Sequence, residues 1–171
     1  QNVKQKHLQT KIQCRLSDGL EKLAPGEADT IVIAGMGGPL MVRILEQGAD
    51  KRLGNETLIL QPQSDIPAVR QYLHRIGYAI EEEGMLQEDG KYYTIMKAKN
   101  GESCQEKWSQ AEYQYGKYLL EQKSAVLKQY LVQEEALLKE LQEKLTRQQT
   151  PKTQERLEEI KEQLTWNQEA Q

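Results

Sequence analysis

The segment Ala28 to Met41 reads ADTIVIAGMGGPLM: an apolar, β-branched run leads straight into Gly35-Met36-Gly37-Gly38 and then into a helix opened by Pro39. A short strand that turns on glycines directly into a helix is the unit of an open α/β sheet, where ligands sit beyond the carboxyl ends of the strands. Glycines at such an edge let backbone approach a ligand closely. The segment is neither a G-x-G-x-x-G fingerprint nor followed by a Walker lysine. A ligand edge, a phosphate loop and a plain chain turn all stay open for it.

The neighbouring sequence extends that unit. Strands are expected over Ile12–Leu16, Thr30–Ala34, Thr57–Leu60, Tyr78–Glu82 and Tyr92–Ala98. Crossover helices are expected over Pro39–Gln47 and over Ile66–Ile76, the second capped by Ser64 or Asp65 and closed by Gly77. Asp89-Gly90 separates the last two strands without room for a helix, which marks a hairpin. A mainly parallel sheet ending in an antiparallel hairpin follows.

Beyond Gly101 the composition changes. Eleven of the twelve glycines and four of the five prolines lie in residues 1–101, which carry 13 basic and 13 acidic residues against 10 and 13 afterwards. This sets a boundary near Asn100-Gly101, between residues 1–101 and 102–171. With Leu120 as position a, the a series reads Leu120, Leu127, Glu134, Leu141 and the d series Ser124, Leu131, Leu138, Leu145. Thr150-Pro151 interrupts the pattern, which resumes through Thr153, Leu157, Ile160 and Leu164. A turn inside the repeat favours a hairpin within one chain, and hence a monomer, over a dimerising zipper.

Composition narrows the function classes. At 171 residues and 37% hydrophobic, the chain holds one core plus an appendage. A net charge of −3 rules out RNA capture by bulk attraction. A local patch must serve instead: Lys4, Lys6, Lys11 and Arg15 fall within the first fifteen residues, and Arg70 and Arg75 could join them. Cys14 and Cys104 fit no metal-ligand spacing and suggest a reducing, cytoplasmic setting. No stretch is apolar enough to span a bilayer. His7 and His74 read as surface residues and support neither a metal centre nor a triad. Glu81-Glu82-Glu83 reads as a solvated strand edge, because successive strand residues face opposite ways.

Two further positions could carry chemistry. Asp18-Gly19-Leu20 follows the first expected strand, where a carboxylate can accept from a sugar hydroxyl or an adenine amino group; it can equally cap a short helix. Gln61-Pro62-Gln63 ends the third strand and offers an amide donor and acceptor, or simply a turn.

Taken in order, DGL, IAGMGG, LILQPQ and EDGKYYTIM resemble the bacterial family of tRNA adenine-22 N1-methyltransferases, over about Thr10 to Ala98. The resemblance implies a Rossmann-like, class I S-adenosylmethionine-dependent methyltransferase fold followed by a C-terminal α-helical coiled-coil hairpin, acting on an adenine of the tRNA D-arm. By that match Asp18, Gly19 and Leu20 border the cofactor's adenine, and Ala34, Gly35 and Met36 line the reacting methyl. Gly37, Gly38, Gln61 and Pro62 face the target base, with Arg70 and Arg75 toward the RNA. Gly35, Met36, Gly37 and Gln61 are thus the expected catalytic positions, with tRNA as partner and no metal. The family's glycine loop and its second-strand acid would precede Gln1, so the sheet is expected to lack its first two strands and the chain to be the C-terminal portion of a longer enzyme. A rival from another class is a non-catalytic α/β scaffold whose helical hairpin recruits a protein.

Overall fold

A computed structural model of the chain describes residues 2–101, 107–147 and 150–171. A short helix α1 (Asn2–Gln5) precedes an irregular segment that reaches strand β1 (Thr30–Met36). Helix α2 (Gly38–Gln47), a 3₁₀ turn (Ala49–Lys51), β2 (Thr57–Pro62), α3 (Ile66–Arg75), β3 (Tyr78–Glu88) and β4 (Lys91–Asn100) complete the sheet region. Helices α4 (Gln110–Tyr115), α5 (Lys117–Glu121), α6 (Ala125–Thr146) and α7 (Pro151–Ala170) follow.

The sheet order is β1-β2-β4-β3. β1 and β2 run parallel, while β4 pairs antiparallel with both β2 and β3. Asp89 and Gly90 both take positive φ, at 49° and 74°, as a two-residue hairpin turn with right-handed strand twist requires. The core lies on the face covered by α2 and α3, where Leu58, Leu60, Met96, Leu45 and Leu73 are fully buried.

Four sequence expectations fail here for physical reasons. Ile12–Leu16 is not a strand: it has no ladder partner among the described residues, and Leu16 is 91% exposed. The sheet is not mainly parallel: one of its three described pairings, β1 with β2, runs parallel, because the second hairpin strand β4 inserts between β2 and β3. Glu83 is not on a solvated edge. A bulge between Ile80 and Glu82 adds one residue to β3 and turns Glu83 inward, where it is 6% exposed. His74 is half-buried, its ring edge-on to Trp108 at 4.6 Å and its Nδ1 3.0 Å from the Tyr113 hydroxyl.

Glu83 meets Arg70, itself 1% exposed, in an ion pair of 2.8 Å. Arg70 Nη1 also donates to the carbonyls of Tyr113 and Gln114 at 2.7 and 2.9 Å, and Glu83 accepts from the Tyr118 backbone N–H at 3.2 Å. Burial pushes the Glu83 carboxyl upward and the Arg70 guanidinium downward. Gly116 sits between α4 and α5 with φ 96°, and a Cβ there would lie 2.6 Å from the Glu83 carboxylate. Only glycine fits that position. The joint ties the last four helices to the sheet, and Trp108 completes the same core.

α6 and α7 fold back antiparallel: Asn167 Nδ2 donates to the Leu131 carbonyl at 3.0 Å, and Gln171 to Glu135 at 2.8 Å. Ser124, expected inside the heptads, instead caps α6, so Leu120 belongs to the separate helix α5. Glu134, the polar member of the a series, accepts from Tyr115 at 2.6 Å, Tyr130 at 2.7 Å and Asn167 at 2.9 Å. Cys14 is exposed and free, and Cys104 lies outside the described residues.

Candidate active site at the strand ends

The carboxyl ends of β1 and β2 are stitched together by their own backbone. Gln63 N–H donates to the Met36 carbonyl at 2.8 Å, and Gly38 N–H to the Ser64 carbonyl at 3.0 Å. The Gln61 side chain reaches across so that its Oε1 accepts from Gly35 N–H at 2.9 Å, while its Nε2 donates to the Pro62 carbonyl at 3.2 Å. Gln61 thus spends one acceptor lone pair on holding the loop.

The glycines do different work. A Cβ on Gly38 would stand 2.5 Å from the Ser64 carbonyl oxygen and 2.8 Å from that of Asp65, so this position is closed to any side chain. Gly37 is tighter than normal against Ser64 Oγ, at 3.1 Å. Gly35 has φ 75°, and a Cβ on it would meet no atom within 4 Å. It therefore turns the chain while leaving open space in front of the strand end. Ala34 and Gly35 are exposed and Pro62 is buried behind them. Neither Ala34–Gly38 nor Gln61–Ser64 contains a histidine, cysteine or carboxylate.

The structure therefore brings together Ala34, Gly35, Met36, Gly37, Gly38, Gln61 and Pro62. Ser64, expected with Asp65 only as a possible cap of α3, is instead the partner of both Gly37 and Gly38, and α3 has no side-chain cap. Asp18, Gly19 and Leu20 are not brought to this loop. Gly19 packs on Ile44 and Leu20 on Gly48. Ile44 lies about 9 Å along α2 from Gly38 at the ordinary helical rise. Arg70 is also displaced from its expected role, because it is buried in the joint described above and cannot meet RNA. Arg75 sits at the far end of α3, pairing with Glu46 at 3.2 Å and stacking on Tyr72 at 5.1 Å. Among the described residues no group of His, Cys, Asp and Glu could hold a metal, and no helix is long and apolar enough to cross a membrane.

The sequence matches, over residues 1–169, the profile of a family described as tRNA (adenine(22)-N(1))-methyltransferase. The chain belongs to that methyltransferase family. A curated Bacillus subtilis tRNA (adenine(22)-N(1))-methyltransferase is 46% identical over 100 residues, covering 58% of this chain and 42% of that relative. The chain thus spans less than half the length of the curated methyltransferase it matches. The crystal structure of the B. subtilis m1A22 tRNA methyltransferase superposes with a TM-score of 0.89 at 34% identity, over 98% of this chain and 74% of that one. A Listeria monocytogenes protein gives 0.92 at 30% identity, over 98% and 74% of the two chains. A Streptococcus pneumoniae protein solved with S-adenosyl-L-methionine gives 0.81 at 33% identity, over 99% and 72%. These superpositions take in the terminal helices as well as the sheet, so the family likeness extends to the α6–α7 pair.

Proposed function

We propose that this chain is the base-facing part of an enzyme that transfers a methyl group from S-adenosylmethionine to N1 of adenine 22 in tRNA, acting as a cytoplasmic monomer. Residues 1–101 supply the reacting surface and residues 102–171 position the RNA. The observation that carries this reading is the strand-end loop, rigid by backbone bonds yet open in front of Gly35, in a member of this methyltransferase family.

The open face at Gly35 and the exposed Ala34 suit the methyl-bearing end of the cofactor, which supplies an electrophilic sulfonium methyl when bound. Adenine N1 holds its lone pair in the ring plane, so no base has to remove a proton first. A loop without titratable side chains is adequate for that chemistry, and positioning carries the catalysis. Holding reactants in line is worth roughly 7–11 kcal/mol. Gly37 borders the base, with Gly38 and Pro62 buried behind it as support, and the second lone pair of Gln61 Oε1 can accept from its amino group. Extracting the base from its stack costs a few kcal/mol, which a broad RNA grip through α6 and α7 offsets.

The test uses the complete enzyme. Gly37→Val places a branched side chain toward Ser64 and should lower kcat at least tenfold with S-adenosylmethionine affinity nearly unchanged; equal loss of both would point to misfolding. Asp18→Ala weakening S-adenosylmethionine binding by ~1–3 kcal/mol would put the Asp18–Leu20 turn in the site. Unchanged affinity in calorimetry removes it. Replacing residues 139–159 by a short glycine loop joins Leu138 to Ile160 and keeps the Glu134 cluster. Methylation of tRNA should then fall sharply with cofactor binding intact, and undiminished methylation would favour the reading of this pair as a protein-recruiting element.

A further inference from the structure

A second concavity adjoins the strand-end loop and takes no part in the mechanism above. It is a cleft of about 450 Å³ between the Gln63–Pro67 turn, the β3–β4 hairpin and the helices α4, α6 and α7. It abuts the reacting surface directly, since Ser64 and Asp65, which line it, are the residues whose carbonyls close Gly38.

Its chemistry is specific. Tyr92 and Tyr130 form one corner, their rings edge-to-face with centroids 5.2 Å apart. Their hydroxyls are committed elsewhere, Tyr92 donating to Gln133 at 3.0 Å and Tyr130 to Glu134 at 2.7 Å. The rings are thereby held in place, offering apolar surface rather than hydrogen bonds. Polar capacity comes from the amides of Gln63, Gln114 and Gln163, each both donor and acceptor, with the Ser64 and Thr94 hydroxyls beside them. Among the described residues Asp65 is the one charged residue lining the cleft, and its carboxylate does not cap α3. With no cation among these described lining residues, a phosphate is the wrong occupant. Fixed aromatic surface, amides and one carboxylate suit a flat, neutral heterocycle that carries hydrogen-bond donors.

We propose that this cleft takes a second, unstacked nucleobase of the RNA, one bearing an exocyclic amino group, beside the base that meets the strand-end loop. That the occupant belongs to RNA rests on the methyltransferase reading; the base preference rests on the lining alone. Asp65 and the amides read the amino edge, and the tyrosine corner holds the ring.

Cytidine and uridine separate these terms, because they differ chiefly in an amino group against a carbonyl and neither is the methylated base. Each is titrated into the chain while the tyrosine ring resonances are followed by NMR. Cytidine should shift Tyr92 and Tyr130 and bind about fivefold tighter than uridine. Asp65→Gly keeps the left-handed backbone of that residue and should erase the preference. Gln163→Trp fills the cleft from the surface of α7 and should abolish both titrations. Equal binding of the two nucleosides, shifts that survive Gln163→Trp, or no shift at millimolar nucleoside would each overturn the proposal. No methyl transfer enters the measurement, so an enzyme that failed to methylate tRNA would sink the methyltransferase reading and leave this result to stand or fall separately. If the enzyme does methylate tRNA, Gln163→Trp should raise KM about tenfold with little change in kcat.

Discussion

Two stretches of this chain carry a glycine turn of the kind that serves a ligand, and they are held in opposite ways. Gly35–Gly38 is locked by bonds to the neighbouring strand end at 2.8–3.0 Å and backed by Pro62 and the α3 turn. Asp18–Leu20 belongs to an irregular segment in which Leu20 and Leu23 touch the core, while its main polar anchor is the exposed Arg15–Glu27 ion pair. A site built from adjacent strands of one ladder assembles with those strands. A turn whose preceding residues have no ladder partner among the described residues takes the packing that the nearest helix offers, here Ile44 and Gly48. Ligand geometry in an α/β sheet thus depends on strand pairing more than on the turn's own sequence.

That contrast ranks the consequences of substitution. The largest loss should come where buried groups replace water altogether. Arg70→Met leaves the Glu83 carboxylate and the Tyr113 and Gln114 carbonyls without their donor and should cost about 3–5 kcal/mol in urea denaturation. A loss under 1 kcal/mol would mean that the sheet and the helices are joined by apolar packing alone. Gly38→Ala comes next, about 1–3 kcal/mol, because the added methyl meets two backbone carbonyls that cannot swing aside. Gly35→Ala should cost about 1 kcal/mol, the strain of a left-handed backbone without a clash. Equal losses at Gly35 and Gly38 would break the picture of one closed and one open glycine.

The smallest effect belongs to the outer segment. Its bonds to Arg15 and to the Ala24 N–H hold the Glu27 carboxyl down from its ordinary 4.5 to about 2. A carboxyl depressed on folding stabilises the segment above its unfolded value, and that contribution fades as pH falls from 4.5 toward 2. Glu27→Gln should therefore speed hydrogen exchange over residues 15–28 at neutral pH, leave the global denaturation midpoint unchanged, and remove the acid-dependent loosening of this segment. A shift of the global midpoint would show that the segment is part of the cooperative core.

Elements governed by local chemistry were legible in the sequence. β1, β2, α2, α3 and the Asp89-Gly90 turn follow from apolar runs, Pro39, Gly77 and a polar-glycine pair, each readable within a dozen residues. The loop at Gly35–Gly38 was legible for the same reason. What was hidden depends on partners distant in sequence. The β3 bulge turns Glu83 inward only because Arg70 waits there, thirteen residues earlier, and Arg70 is buried only because α4 brings two carbonyls to it from beyond Gly101. Ile12–Leu16 has the composition of a strand and, among the described residues, no neighbour to make it one. The heptad register located Leu127, Leu131, Leu138 and Ile160 in the seam, yet could not show that Glu134 is satisfied by two tyrosines and Asn167.

The sheet order has a consequence for the timing of synthesis. β4 lies between β2 and β3, and Leu60 pairs with Met96. When β1 and β2 leave the ribosome, one edge of β2 has no partner until roughly 36 more residues have been added, about 2–7 s at ordinary elongation rates. During that interval Leu58 and Leu60, fully buried in the finished protein, lack the strand that completes their side of the core. The β3–β4 hairpin can form by itself around Asp89-Gly90 and then dock as a unit. The strand-end loop therefore gains its final support late, and a nascent chain paused within residues 62–96 would present an unfinished, adhesive sheet edge to any chaperone nearby.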